Sequence, residues 1–315
     1  MSLSAALDSN IVLTHVVIIL VVLGGTGLLL LLLTHVFRLE MGGVVRTYRG
    51  WLIIVPVVLV VIFMGREATV LGVALLALLG FKEFTRATGL DRDWWMSGAV
   101  YAGILAITAS SLLRDPRLDV PGWYGLFMTL PVFVVSLILV IPIARNRAKG
   151  QLQSTALAIL GFVYLGWMLS HVGFLANSTN AYGYLLYLLV AVASNDVAAF
   201  TAGRLFGARK LRDQISPNKT FGGSLGALSV SMVLPWLMWF SFPHFGPLQL
   251  LLTGLIVGVG GQLGDLVISV IKRDLGVKDM GVLIPGHGGL LDRIDSLIFT
   301  GPLFFHMVHW FYGLN

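Results

Sequence analysis

Residues 11–37 read IVLTHVVIILVVLGGTGLLLLLLTHVF, 27 consecutive positions without an aspartate, glutamate, lysine or arginine. A helix rises 1.5 Å per residue, so this run is long enough to cross the roughly 30 Å of hydrocarbon in a bilayer. The segment before it carries one acid, Asp8, and no lysine or arginine, so it lacks the basic start of a cleaved signal and the run reads as a retained span. The rest of the chain is built the same way. Of its 315 residues, 57% are hydrophobic and 11% charged, against about 25% charged in a typical soluble domain. Such a chain needs lipid as its solvent. No polar or low-complexity linker and no internal repeat divides it, so residues 1–315 are expected to form one integral membrane domain.

Working outward from the first run, further apolar stretches fall near 51–65, 68–84, 95–113, 124–144, 154–176, 182–203, 223–242, 248–270 and 294–312. The expected fold is all-α, a polytopic bundle of about ten (nine to ten) transmembrane helices. Its weak point is the second and third spans, which are short, are separated only by Gly65, Arg66 and Glu67, and could be a re-entrant pair. The charges test the map, because short cytoplasmic loops accumulate lysine and arginine. Alternate loops hold 18 of the 21 basic residues, and the opposite loops hold only Arg66, Arg114 and Arg117. Both termini are therefore expected outside, with the basic loops in the cytoplasm. Trp51, Trp94, Trp95, Trp123 and Trp310 cluster near span ends, as an aromatic belt requires.

Composition also excludes chemistries. Without cysteine there is no disulfide, iron–sulfur cluster, thiolate zinc site or cysteine nucleophile. The net charge of +6 could suggest nucleic acid, but topology alone places basic residues beside spans, so no nucleic-acid partner is expected.

Polar residues inside apolar spans are costly and usually functional. The penultimate span ends Gly261-Gln-Leu-Gly-Asp265-Leu-Val-Ile-Ser269-Val-Ile-Lys272-Arg273, where Asp265, Ser269 and Lys272 stand at i, i+4 and i+7 on one helical face. A glycine-rich loop follows, Gly276-Val-Lys278-Asp279-Met-Gly281 and then Ile284-Pro285-Gly286-His287-Gly288-Gly289. The last span opens Asp292-Arg293-Ile-Asp295. Glycines allow close approach of backbone to phosphate, and helix starts attract anions. Asp265 and Asp292, one from each helix flanking the loop, could hold Mg²⁺, which takes oxygen ligands together with substrate phosphates. Lys272, Arg273, Lys278 and Arg293 would meet the remaining phosphate charge. The plainer alternative is a solvated basic loop facing anionic headgroups; an aspartate within a span, the clustered glycines and a second acid pair weigh against it.

At these residues the chain resembles the phosphatidate cytidylyltransferase (CDP-diacylglycerol synthase) family. Ser269 to Asp295 is similar to that family's signature, S-x-Φ-K-R-x4-K-D-x-G-x2-Φ-P-x-H-G-G-Φ-x-D-R-Φ-D, and every fixed position matches. A pattern fixed at so many positions is far more specific than a lone glycine motif. A second region on the same expected side runs Ser194-Asn195-Asp196-Val-Ala-Ala-Phe-Thr-Ala-Gly203-Arg204-Leu-Phe-Gly207, then Ser216-Pro217-Asn218-Lys219-Thr220-Phe221-Gly222-Gly223. It is similar to the family's N-D-x-x-A-[YF]-x-x-G-[RK]-x-[FI]-G and S-P-K-K-T-x-E-G segments. It departs at two positions: Asn218 replaces a lysine and Gly222 a glutamate. The resemblance covers roughly the C-terminal 120 residues, within a catalytic part at 151–315. Residues 1–150 match only as a hydrophobic bundle.

The resemblance implies that the phosphate of phosphatidic acid attacks the α-phosphorus of CTP, giving CDP-diacylglycerol and pyrophosphate. It assigns catalytic work to Asp265, Lys272, Arg273, Lys278, Asp279, His287, Asp292 and Arg293. Asn195, Asp196, Ser216, Lys219, Thr220, Ser269, Gly288, Gly289 and Asp295 become substrate-binding, and Asp265 and Asp292 the Mg²⁺ ligands. His287 reads as a phosphate or loop-positioning donor, because the attacking phosphate is already anionic. The partners are CTP, phosphatidic acid and membrane lipids. Room is left for a second, monovalent cation and for a homodimer, and the expected place is a bacterial inner membrane with the site facing the cytoplasm. Asn195 could instead bond a neighbouring helix, and Ser216-Pro217 could merely start one. Rival readings are a CTP-dependent polyprenol kinase-like enzyme, a lipid transporter, and a weakly active paralogue keeping the fold despite Gly222.

Two further motifs read as structural. His306 and His309 have i, i+3 spacing suited to a metal, but the charge map places them toward the outer face without an acid, as packing or interfacial residues. Gly24-Gly25-Thr26-Gly27 suits close helix packing better than phosphate binding.

Overall fold

The structure, a computed structural model, describes residues 1, 3–37, 42–281 and 288–313. Hydrocarbon offers the backbone no hydrogen-bond partner, so each apolar run must satisfy its own amides as a helix. Among the described residues, ten long helices result. They are α1 (Asn10–His35), α2 (Gly42–Phe63), α3 (Arg66–Thr88), α4 (Trp94–Leu112), α5 (Tyr124–Ala144), α6 (Gln151–Asn177), α7 (Ala181–Phe206), α8 (Phe221–Leu237), α9 (Pro247–Asp274) and α10 (Leu291–Tyr312). Among the described residues, α1 to α7 and α9 are long and apolar enough to cross a membrane. α8 is a shorter apolar helix, and the first turns of α10 carry Asp292, Arg293 and Asp295. The chain is thus an all-α, polytopic integral membrane protein. The second and third expected spans are each long and apolar enough to cross: α2 and α3 have 22 and 23 residues and turn at Gly65, whose φ of 109° is open to glycine.

Proline at positions 56, 131, 142, 235 and 302 lies inside helices, as membrane helices tolerate. The core is aromatic: Phe81, Phe127, Phe162, Phe174, Tyr187, Phe242, Phe304 and Phe305 are fully buried. Leu20, Leu28 and Leu29 of α1 and Val132 and Phe133 of α5 point outward, which suits a surface wetted by lipid. Among the described residues the only paired strands are β1 (Lys210–Arg212) and β2 (Ser216–Thr220), an antiparallel hairpin between α7 and α8 with Lys210 opposite Thr220 and Arg212 opposite Ser216.

Contacts sort the connections into two ends. At the hairpin end, Arg145 meets Asp93 at 2.7 Å and the Arg273 Nε donates to the Ile215 carbonyl. At the opposite end Arg66 donates to Asn177 Oδ1 and to the carbonyls of Ser111 and Leu112, while the Tyr312 hydroxyl reaches the His244 carbonyl. The 3.6-residue ladder widens to π geometry at Phe162–Met168 in α6 and Ile256–Gly260 in α9. Such bulges are frequent at functional sites, and from the first of them the Tyr164 hydroxyl donates to the Gly264 carbonyl at 3.4 Å. His306 and His309 pack among rings, with His171 5.0 Å from His306 and Tyr124 4.2 Å from His309. Of the glycines in α1, Gly27 lies against the Tyr48 ring, and Gly24 and Gly25 face open space.

Candidate functional site

The site is assembled at the hairpin end from α7, the hairpin, α9, the loop after it and the start of α10. Helical periodicity puts Asp265 and Ser269 of α9 together, and the Ser269 hydroxyl donates to Asp265 Oδ1 at 3.3 Å. The last residues of β2 bring Lys219 over the other oxygen, Nζ to Oδ2 at 2.6 Å. Lys272, one further turn along the same face, leaves that pair and reaches across to α10, where its Nζ lies 2.6 Å from Asp292 Oδ1. Asp292 Oδ2 in turn accepts the backbone N–H groups of Met280 and Gly289, each at 3.1 Å. The residues on either side of 282–287 are therefore folded onto Asp292. α9 and α10 can meet because Gly264 has no Cβ, which would otherwise overlap the Asp295 carbonyl.

Around this pair of ion pairs, Asp196 in α7 lies within electrostatic reach of Asp265, Lys219 and Arg293, and Asp295 lies within reach of Asp265, Asp196 and Lys219. Asp295 is buried, its Oδ1 accepting the Ser296 N–H at 2.7 Å. Arg273, Lys278 and Arg293 are exposed. Asp279 is exposed beside Gly288, and Ser216 is half-buried in β2. Two expected substrate residues are engaged inside the fold. Asn195 is buried and donates to Ser231 Oγ at 2.8 Å and to the Val257 carbonyl at 3.4 Å, joining α7, α8 and α9. Thr220 caps α8, its hydroxyl oxygen accepting the Gly223 N–H at 3.1 Å. His287 lies outside the described residues.

The start of α10 differs from the sequence reading in one respect. Its N–H groups were expected to invite a substrate anion, but the anion there belongs to the protein. Glu83 of α3 is 6% exposed, and its two carboxylate oxygens accept the N–H groups of Leu290 at 2.9 Å and Leu291 at 3.0 Å. Sequence reading missed this residue and Tyr164; an acid close to the end of the 68–84 stretch was the available signal for Glu83.

The donor set suits a hard cation. Among the described residues no three Asp, Glu or His side chains are placed to chelate a metal by themselves, whereas Mg²⁺ characteristically uses one or two carboxylates and completes its shell with water and substrate phosphates. Asp265 is the more accessible of the two expected ligands, its side chain 35% exposed against 12% for Asp292.

Comparison with known proteins fits this arrangement. A profile described as the cytidylyltransferase family matches residues 45–311. The chain belongs to the cytidylyltransferase family. Relatives agree along most of their length. Protein YnbB of Escherichia coli strain K12, described as uncharacterised, is 33% identical over 85% of this chain and 88% of its own. The phosphatidate cytidylyltransferase of Staphylococcus haemolyticus is 32% identical over 82% of this chain and 96% of its own. That of Staphylococcus saprophyticus subsp. saprophyticus is 35% identical over 64% and 76%. The family match reaches well into the N-terminal helices, so in this cytidylyltransferase α2 to α5 are more than the generic hydrophobic bundle that the sequence reading made of them.

Proposed function

We propose that this chain transfers the cytidylyl group of CTP to phosphatidic acid, forming CDP-diacylglycerol and releasing pyrophosphate. The observation that carries the reading is that the Lys219–Asp265 and Lys272–Asp292 pairs stand one helical stretch apart on α9, at the end of the bundle where the glycine loop leaves it. In the reaction a phosphate oxygen of the lipid forms the new bond to the α-phosphorus, and the bond from that phosphorus to the bridging oxygen of pyrophosphate breaks. The nucleophile is already an anion, so no strong base has to be found among the side chains. Lys219, Lys272, Arg273, Lys278 and Arg293 bind the triphosphate and offset the charge that grows on departing pyrophosphate. Ser269, Gly288, Gly289 and Asp196 line the approach.

Asp265 and Asp292 are the proposed ligands of Mg²⁺. Lys219 and Lys272 are already balanced by carboxylates, and a divalent cation would add to the positive charge that Arg273, Lys278 and Arg293 offer the triphosphate. When bound, it neutralises phosphate charge and polarises the phosphoryl group under attack. A site at the membrane boundary suits one substrate from water and one held by its acyl chains in the bilayer. The basic loops at this end support a site on the cytoplasmic side by the charge rule, and the bacterial relatives support a bacterial inner membrane.

The test is to incubate the purified protein with Mg²⁺, phosphatidic acid and CTP labelled either at the α-phosphate or at the γ-phosphate, and then extract the lipid. The proposal expects only the α-label in the lipid fraction. Lipid carrying the γ-label would identify a kinase, and neither label entering lipid would remove the reading.

A further inference from the structure

We infer that Glu83, far from the signature in sequence, is the positioning residue that holds Gly281, Gly289 and the start of α10 in their working place. This inference rests on the cytidylyl-transfer reading for its consequence and on geometry for its existence.

A carboxylate that is 6% exposed is costly unless its oxygens are satisfied. Among the described residues Glu83 forms no ion pair. Its compensation is the pair of N–H groups from Leu290 and Leu291, at the positive end of the α10 dipole. Two fixed glycines of the signature lean on the same group. A Cβ at Gly281 would stand 2.5 Å from Glu83 Oε1, and one at Gly289 would stand 2.8 Å from Oε2. These two glycines thus lie directly against a side chain from α3. The next residue in α10 is Asp292, which binds the Gly289 and Met280 N–H groups and Lys272. Glu83 therefore fixes the turn from which Asp292 projects, and through Asp292 it sets the position of Lys272. It also fills the α10 start, which turns substrate phosphate toward α9 and the hairpin.

Glu83→Ala and Glu83→Gln in lipid nanodiscs test the inference by two readouts. The first is hydrogen exchange at the amides of Leu290 and Leu291. It should accelerate by at least about tenfold in Glu83→Ala, with α6 and α7 unchanged, since two charge-assisted bonds are lost. The second is turnover per folded molecule, counted as the monodisperse fraction. Misplacement near 1 Å lowers rates about 10²-fold, so Glu83→Ala should lose about that factor in kcat, with KM for phosphatidic acid within about twofold. Glu83→Gln keeps one acceptor oxygen and should recover part of the loss. Unchanged exchange at Leu290 and Leu291 would overturn the inference, as would an unchanged kcat per folded molecule in Glu83→Ala. A wild-type protein that transfers no cytidylyl group would defeat the functional reading instead, and the exchange comparison would still decide whether Glu83 holds the start of α10.

Discussion

Lys272 Nζ and Asp292 Oδ1 stand 2.6 Å apart with 14% and 12% of their side chains exposed, and this pair joins the end of α9 to the first turn of α10. Removing one member of such a buried pair strands the other charge and typically costs about 3–5 kcal/mol. Lys272→Met and Asp292→Asn should each lower the thermal midpoint of the purified protein. The double variant should be more stable than the less stable single one, because no charge is left unpaired. Activity should behave differently and stay at least about 10²-fold down in all three. A double variant with activity restored alongside stability would show that the pair only supports the fold.

At Asp265 the arrangement separates two roles. Lys219 touches one oxygen and Ser269 the other. Lys219→Ala should raise the KM for CTP by about tenfold while lowering the Mg²⁺ concentration needed for half-maximal rate, since the carboxylate loses a competing cation. Asp265→Ala should abolish turnover at any Mg²⁺ concentration, and chelation of divalent ions should silence the wild type. Magnesium titrations of the initial rate read all three. If Lys219→Ala requires more Mg²⁺ than the wild type, the proposed competition is wrong.

How much of this could be read beforehand depends on distance along the chain. The Asp265–Ser269 contact follows from helical spacing and was legible. So were eight of the expected spans, which recur among the described residues as helices long and apolar enough to cross, with 124–144 matching α5 at both ends. α2 begins at Gly42 rather than near 51 because Arg46 and Arg49 ride on its first turns, where long basic side chains extend to the membrane surface. The hairpin went unread because Lys210–Arg212 and Ser216–Thr220 carry no apolar alternation. Glu83 went unread because its partners are 207 and 208 residues away, and no local period reports that separation.

Gly222 stands where the family pattern has glutamate, and the fold gives a reason to doubt that restoring the acid would help. A Cβ at this position would lie 2.5 Å from the Phe206 carbonyl oxygen and 2.8 Å from its carbon, so any side chain must push the end of α7 from the start of α8. Gly222→Glu is expected to lose stability by about 1–3 kcal/mol without gaining turnover. Asn218→Lys, which restores the family lysine at an exposed position of β2, should leave stability within about 0.5 kcal/mol of the parent. Thermal midpoints and initial rates of the two variants, measured side by side, decide the matter; a faster Gly222→Glu enzyme would mean that this contact yields easily.

The far end of the bundle offers a control in which stability and catalysis should part company. Arg66 is largely buried and donates to Asn177 Oδ1 at 2.6 Å and to the carbonyls of Ser111 and Leu112 at 3.0 and 2.7 Å, gathering the ends of α3, α4 and α6. Arg66→Ala removes three donated bonds, although the Ser111 carbonyl keeps the Asn177 amide as a donor, and hydrogen bonds to charged groups contribute about 1.5–3 kcal/mol each, not additively. The variant is expected to lose about 2–4 kcal/mol of stability. Its contacts are all at the end opposite to Lys272 and Asp292, so kcat per folded molecule should change by less than about twofold. Thermal unfolding and turnover on the same nanodisc preparation measure both quantities. A selective fall in kcat would mean that the two ends are mechanically coupled through α3, the helix that also carries Glu83.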